Sequence, residues 1–230
     1  MKTPLTFLLS LTFLFLFSGS VYGGDLEDGR DAYDKKDYKT AYKLWLPLAE
    51  QGNAESQFNL GAMYATGRGV PQDYKEAVKW VRLSAEQGYA TAQTNLGTMY
   101  YGGQGVPKDH KEAVKWYRFA AEQGYATAQN NLGTMYDEGQ GVSQDYKEAV
   151  KWYRLAAEQG DAKAQFNLGI MYGKGQGVPQ DSVSAHMWLN LCGSSGDKDC
   201  VKNRNIVEEK MTPQQIEKAQ RLTRNWKPKK

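Results

Sequence analysis

Asp73-Tyr-Lys-Glu-Ala-Val-Lys-Trp80 returns as Asp109-His-Lys-Glu-Ala-Val-Lys-Trp116, and again as Asp145-Tyr-Lys-Glu-Ala-Val-Lys-Trp152. The interval is 36 residues. Glycines keep the same interval: Gly61, Gly97, Gly133 and Gly169 form one set, and Gly88, Gly124, Gly160 and Gly196 another. A period of this size marks stacked supersecondary units, each burying its apolar face only against its neighbours. Such stacks present extended surfaces, so the repeat favours a binding protein over an enzyme.

Residues 53–88 make one period. Ala54, Leu60, Met63 and Tyr64 fall at helical spacing and predict a first helix over about 53–66. Gly67-Arg-Gly-Val-Pro-Gln72 then stops the helix, with Val70 as the apolar plug of the connection. Asp73 caps a second helix, and Glu76 is placed to return a bond to the cap. Ala77, Trp80, Val81, Ser84 and Ala85 form its inward stripe, and Gly88 ends it. Two helices joined by so short a loop lie antiparallel. Gly61 sits mid-helix, where it costs about 1 kcal/mol relative to Ala. Its recurrence implies close helix approach, with Ala77, Ala113, Ala149 and Ala185 as the small partners.

The expected organisation is a leader at 1–23, an incomplete repeat at 24–52, full repeats at 53–88, 89–124, 125–160 and 161–196, and capping helices with a basic tail at 197–230. Thr212-Pro-Gln-Gln215 supplies an N-cap, a proline at the first helical position and a capping glutamine.

Ala-x-Ala-Gln-x-Asn-Leu-Gly-x-Met-Tyr, then Gly-x-Gly-Val-Pro-x-Asp, then Glu-Ala-Val-Lys-Trp-Tyr-Arg-x-Ala-Ala-Glu-Gln-Gly resembles the Sel1-like repeat, a relative of the tetratricopeptide repeat. The resemblance spans about residues 25–210. It implies an all-α fold, a right-handed α-solenoid of antiparallel helix pairs. It also implies an adaptor or scaffold role, in bacteria often in the cell envelope, and no cofactor.

The chain opens with Lys2, an apolar stretch from Leu5 to Phe17, and Val21-Tyr22-Gly23. A stretch that short falls below the length needed to cross a hydrocarbon core of about 30 Å, so it reads as a secretory signal. Cleavage is expected after Gly23, with Ser20 as the other candidate and an uncleaved anchor as the alternative. This places the protein in the periplasm or outside the cell, with no stable membrane span after cleavage. The formal charge of +3 argues against nucleic-acid binding. Residues 197–230 nevertheless hold ten Lys/Arg against five Asp/Glu. This basic end is expected to be a frayed, solvated tail. The other reading is contact with anionic lipid, peptidoglycan or an acidic partner.

Cys192 and Cys200 are the two cysteines. In an oxidising compartment an even count favours a disulfide, and a tight turn between antiparallel helices permits one. Free thiols or a redox pair are the alternatives. The same spacing occurs in cysteine-rich members of the resembled family.

Positions that differ between repeats are free to be set by a ligand. On the first helix these include Phe58/Thr94/Asn130/Phe166 and Ala65/Tyr101/Asp137/Gly173. The tetratricopeptide-like resemblance puts the first helices on the concave surface. A groove is therefore expected there, lined by Phe58, Thr94, Tyr101, Asn130, Asp137 and Phe166. Asn59, Asn95, Asn131 and Asn167 are identical and lie between the variable positions. Either they grip the main chain of an extended peptide, or each bonds to backbone in an adjacent helix and fixes the stack. The Trp80/116/152/188 and Tyr64/100/136/172 sets read as core.

His110 and His186 have no neighbours at metal-ligand spacing, so no metal site is expected. Ser195-Gly-Asp-Lys198 matches Ser-x-x-Lys but lacks the partner motifs of penicillin-recognising enzymes, which leaves a β-lactamase-like hydrolase a remote reading. The sequence thus predicts a non-enzymatic, monomeric adaptor that binds a protein or peptide. A carbohydrate- or peptidoglycan-binding envelope factor is the alternative.

Overall fold

The computed structural model describes residues 19–194 and 196–229. The apolar stretch Leu5–Phe17 therefore lies outside the described residues, while Val21-Tyr22-Gly23 falls within the first helix. Among the described residues there are twelve helices and no strand. They are α1 (Gly19–Asp34), α2 (Tyr38–Glu50), α3 (Ala54–Thr66), α4 (Tyr74–Glu86), α5 (Ala90–Gly102), α6 (His110–Glu122), α7 (Ala126–Glu138), α8 (Tyr146–Glu158), α9 (Ala162–Lys174), α10 (Ser182–Gly193), α11 (Lys198–Glu208) and α12 (Pro213–Asn225). The fold is an all-α solenoid, in which α1 packs on α2 and α2 on α3, and each helix from α5 to α10 packs on the next. The chain comprises two compact units, Met1–Leu83 and Ser84–Lys230, with the boundary inside α4.

In the first unit α1 packs on α2, and α2 on α3. Ala32, Ala41, Trp45, Ala49, Leu60 and Met63 form its core, with Val70 and Trp80 against them. The valine of the connection is thus the expected plug.

In the second unit the same logic runs through two successive cores. Ala113, Tyr117, Leu132, Met135 and Trp152 belong to one. Ala149, Tyr153, Leu168, Met171 and Trp188 belong to the other. Trp152 and Trp188, each on a second helix, join cores that include the second helix of the preceding repeat, so these neighbouring repeats share apolar interior.

Helix starts follow the sequence closely. Asp109 Oδ1 accepts the N–H groups of Lys111 and Glu112 at 2.9 and 3.1 Å. The reciprocal bond from the glutamate does not form. The Asp109 N–H instead donates to the Tyr100 carbonyl at 2.9 Å, closing the interhelical connection. The Glu112 carboxylate turns to Lys115 at 3.3 Å. The cap N–H is already engaged, so the glutamate takes the next cation along the helix. Glu76 and Lys79 repeat this at 3.2 Å, with the Asp73 N–H on the Tyr64 carbonyl at 3.0 Å. At Thr212 the cap N–H has no such competitor, and the full capping box with Gln215 is present.

Glycines supply the left-handed backbone at helix ends and chain reversals. Gly139 (φ +68°) ends α7 and donates to the Met135 carbonyl. Gly124 (φ +89°) reverses the chain after α6, and the following Tyr125 N–H reaches back to the Ala120 carbonyl at 3.1 Å.

The mid-helix glycines serve close approach, but the main partner is not alanine. A Cβ on Gly97 would sit 2.7 Å from the Tyr117 ring, with the Ala113 carbonyl at 3.2 Å. On Gly133 it would meet the Tyr153 ring at 2.7 Å. At these two positions the glycine makes room for an aromatic face one turn beyond the alanine; at Gly61 and Gly169, Val81 and Leu189 take that place.

The last helices cover α10: both α11 and α12 pack on it. The C-terminal tail is not frayed. Trp226 meets Trp188 edge-on at 6.3 Å between ring centroids, the Lys229 N–H donates to the Glu158 carbonyl at 2.7 Å, and the Lys229 ammonium pairs with the Glu158 carboxylate at 2.7 Å. An indole with an apolar surface to cover anchors a segment whose charge alone reads as solvated. Cys192 and Cys200 are joined in a disulfide, with Cα atoms 5.9 Å apart, tying the end of α10 to the start of α11.

Candidate partner-binding groove

A cavity of about 350 Å³ opens in the second unit between α7, α9 and the start of α11. Phe166 and Asn167 come from α9, Asn130 and Thr134 from α7, and Lys163 from the first turn of α9. Asp197 and Asp199 stand at the α11 end. One Asp197 oxygen is spent on the N–H groups of Asp199 and Cys200, at 2.9 and 3.0 Å. The disulfide holds this helix start in place, and Cys200 itself lines the cavity.

The amides meet across repeats: Asn167 Nδ2 donates to Asn130 Oδ1 at 3.1 Å. That contact leaves a donor on Asn130 and an acceptor on Asn167, the complement of one peptide group. Phe166 adds an apolar face, and Lys163 and the two aspartates line the same cavity. The arrangement suits an extended polypeptide. Among the described residues no group of three His, Cys, Asp or Glu side chains could hold a metal ion.

In the first unit a second cavity, of about 330 Å³, brings together Phe58, Asn59, Trp45 and the Arg30–Glu55 ion pair. Five of the expected groove residues thus lie in cavities, Phe58 and Asn59 in one, Asn130, Phe166 and Asn167 in the other.

The remaining expected residues are placed differently. Thr94 is buried, and its hydroxyl donates to the Ala90 carbonyl at 2.9 Å. Asn95 is exposed and donates to the Thr91 carbonyl of its own helix at 2.9 Å. Asn131 is half-buried. Tyr101 stacks on His110 at 5.1 Å. Asp137 accepts the Tyr153 hydroxyl at 3.3 Å. Burial pushes the Tyr153 phenol above its ordinary value, and the charge of Asp137 acts in the same direction. The asparagines therefore share no single role: one bonds to its own helix and one bonds across repeats. Ser195, of the Ser-x-x-Lys match, lies outside the described residues.

The amides that fix the stack are glutamines. Gln57, Gln93, Gln129 and Gln165 are buried and donate to the carbonyls of Ala49, Ala85, Ala121 and Ala157 at 3.0–3.3 Å. Gln123 donates in turn to Gln93 Oε1 at 2.7 Å, and Gln159 to Gln129 Oε1 at 2.8 Å. Their signal in the sequence was the same as that of the asparagines: identity at one register in every full repeat.

A family model described as Sel1 repeat matches residues 24–53, 54–89, 90–125, 126–161 and 162–197. Among solved structures, a Sel1 repeat protein from Oxalobacter formigenes is 39% identical with a TM-score of 0.66, over 72% of this chain and 48% of that one. The protein c5321, a protective antigen of uropathogenic Escherichia coli with an SLR fold, is 32% identical with a TM-score of 0.59, over 89% and 53%. This chain spans about half the length of each. The immunity protein Pa5087 of Pseudomonas aeruginosa, 17% identical with a TM-score of 0.52 over 85% and 81%, shares the fold. Comparison with curated proteins finds no match. Five matched repeats and two relatives above 30% identity place the chain in the Sel1 repeat family.

Proposed function

We propose that this Sel1 repeat protein is an exported scaffold that holds an extended segment of a partner protein against its first helices, in the service of the cell envelope. The observation that carries this reading is the cavity between α7, α9 and α11, where an amide pair, Phe166 and charges of both signs converge. An amide pair, an aromatic face and charges of both signs complement a peptide backbone with mixed side chains. Export is supported by the signal-like start and by the disulfide, since such bonds persist in oxidising compartments.

The test is capture from an envelope extract with wild-type, Phe166→Ala and Asn167→Ala baits, partners being identified by mass spectrometry. A protein retained by the wild type and lost by both variants at unchanged melting temperature is expected. Equal capture by all three baits, or enrichment of glycan strands alone, would sink the reading. Sequencing of the protein's N-terminus from the host cell should begin at Gly24; an intact Met1 would count against export.

A further inference from the structure

A second cavity in the same unit has a different character. It lies between α9 and α11 over α10, with a volume of about 200 Å³. Ile170, Leu189, Ile206 and Val207 give it apolar walls beside Gly173; Gln180, Ser182 and Asn203 add polar groups, and Lys174 and Lys210 also line it.

The slot exists because two registers are truncated together. In the two preceding repeats of the unit, Tyr117 and Tyr153 hold the register of Leu189, and their hydroxyls reach Thr98 at 3.2 Å and Thr134 at 3.3 Å. Tyr101 and Asp137 hold the register of Gly173. Leu189 supplies neither ring nor hydroxyl, and Gly173 supplies no side chain. A Cβ on Gly173 would stand at ordinary contact from Ala185 and Val207, 3.8 and 3.9 Å, so close packing does not require glycine here. This separates it from Gly133, whose missing Cβ admits a ring.

Size and charge select the occupant. An apolar cavity of roughly 150 Å³ accommodates one benzene-sized group, so a slot only slightly larger takes one side chain rather than an acyl tail. Lys174 and Lys210 both line the cavity and neither has an ion-pair partner among the described residues, so it favours an anion within reach of that side chain. We propose that the slot binds the C-terminal residue of a partner polypeptide, its large apolar side chain inside and its α-carboxylate between Lys174 and Lys210. This rests on the partner-binding reading above and gives the partner a chemical signature.

The probe is Gly-Ser-Gly-Ser-Phe, with a free C-terminus or amidated, titrated into the full chain by nuclear magnetic resonance. The free acid is expected to bind at least about fivefold more tightly than the amide, the scale of one modest charge-assisted contact. Gly173→Leu, which fills the slot from a helical position, should abolish binding without lowering the melting temperature. Should that variant fail to fold, Ile206→Ser on the exposed rim should weaken binding of both peptides. Lys174→Ala with Lys210→Ala should erase the difference between acid and amide. Equal affinity for the two peptides, no binding of either at millimolar concentration, unaltered binding by Gly173→Leu, or tighter binding of octanoate would each overturn the proposal. Partner capture lost on Phe166→Ala but kept on Gly173→Leu would remove the slot alone. The reverse would remove the groove and leave the slot.

Discussion

At the residue scale the glutamines decide more than the asparagines. Gln129 is buried, donates to the Ala121 carbonyl, and accepts from Gln159. Replacing it with leucine removes both bonds at a buried site, while the Ala121 carbonyl keeps the Gly124 N–H and the Gln159 amide keeps the Gly124 carbonyl, an effect of about 1–3 kcal/mol for the pair. Gln129→Leu should lower the urea midpoint accordingly, whereas Asn95→Ala, at an exposed residue bonded to its own helix, should shift it by less than about 0.5 kcal/mol. Equal losses would show that the glutamines do not fix the stack. The buried tyrosines set a pH limit. Tyr117 and Tyr153 have phenols raised by burial, so the folded state holds their protons more tightly than the unfolded chain does. Their contribution is complete below the unfolded value of about 10 and declines as pH rises beyond it. Melting temperature should therefore fall above about pH 10, and Tyr153→Phe should make that fall shallower. An identical alkaline profile in the variant would refute the assignment.

At the element scale the disulfide and the tail fasten the end of the second unit. The short loop closed by Cys192 and Cys200 is worth about 2.5 kcal/mol in the chain-entropy account. Replacing both cysteines with serine should lower stability by that order, and reducing agent should produce the same loss in the wild type and none in the variant. The start of α11 carries Asp197 and Asp199 into the cavity, so reduction should also weaken partner capture. Capture that survives reduction would show that the Asp197 cap alone holds the helix start.

At the scale of the whole molecule, a repeat stack must end in a polar cover, because each repeat leaves one apolar face for the next. Here α12 and the docked Trp226 supply part of it over α10. Deleting residues 212–230 keeps the disulfide but uncovers Trp188 and its neighbours. The truncated chain should bind a hydrophobic dye and lose solubility, as an exposed apolar patch does. A soluble, dye-silent truncation would mean that α11 suffices as the cap.

The 36-residue period by itself determined the helix pairs, their antiparallel order, the capping aspartates and the left-handed glycines, because these depend on residues within one repeat or its immediate neighbour. The repeat identity of the glutamines was equally visible, yet identity cannot distinguish an amide that fixes the stack from one that faces a groove. That choice depends on which helix lies opposite, and only the packed structure supplies it. The same holds for the tail, whose charge reads as solvated until Trp188 is seen beneath Trp226. It holds also for the slot beside Gly173. A sequence records residues one at a time, but the slot needs Gly173 on α9 and Leu189 on α10 to line one cavity, and only the packed helices bring them to it.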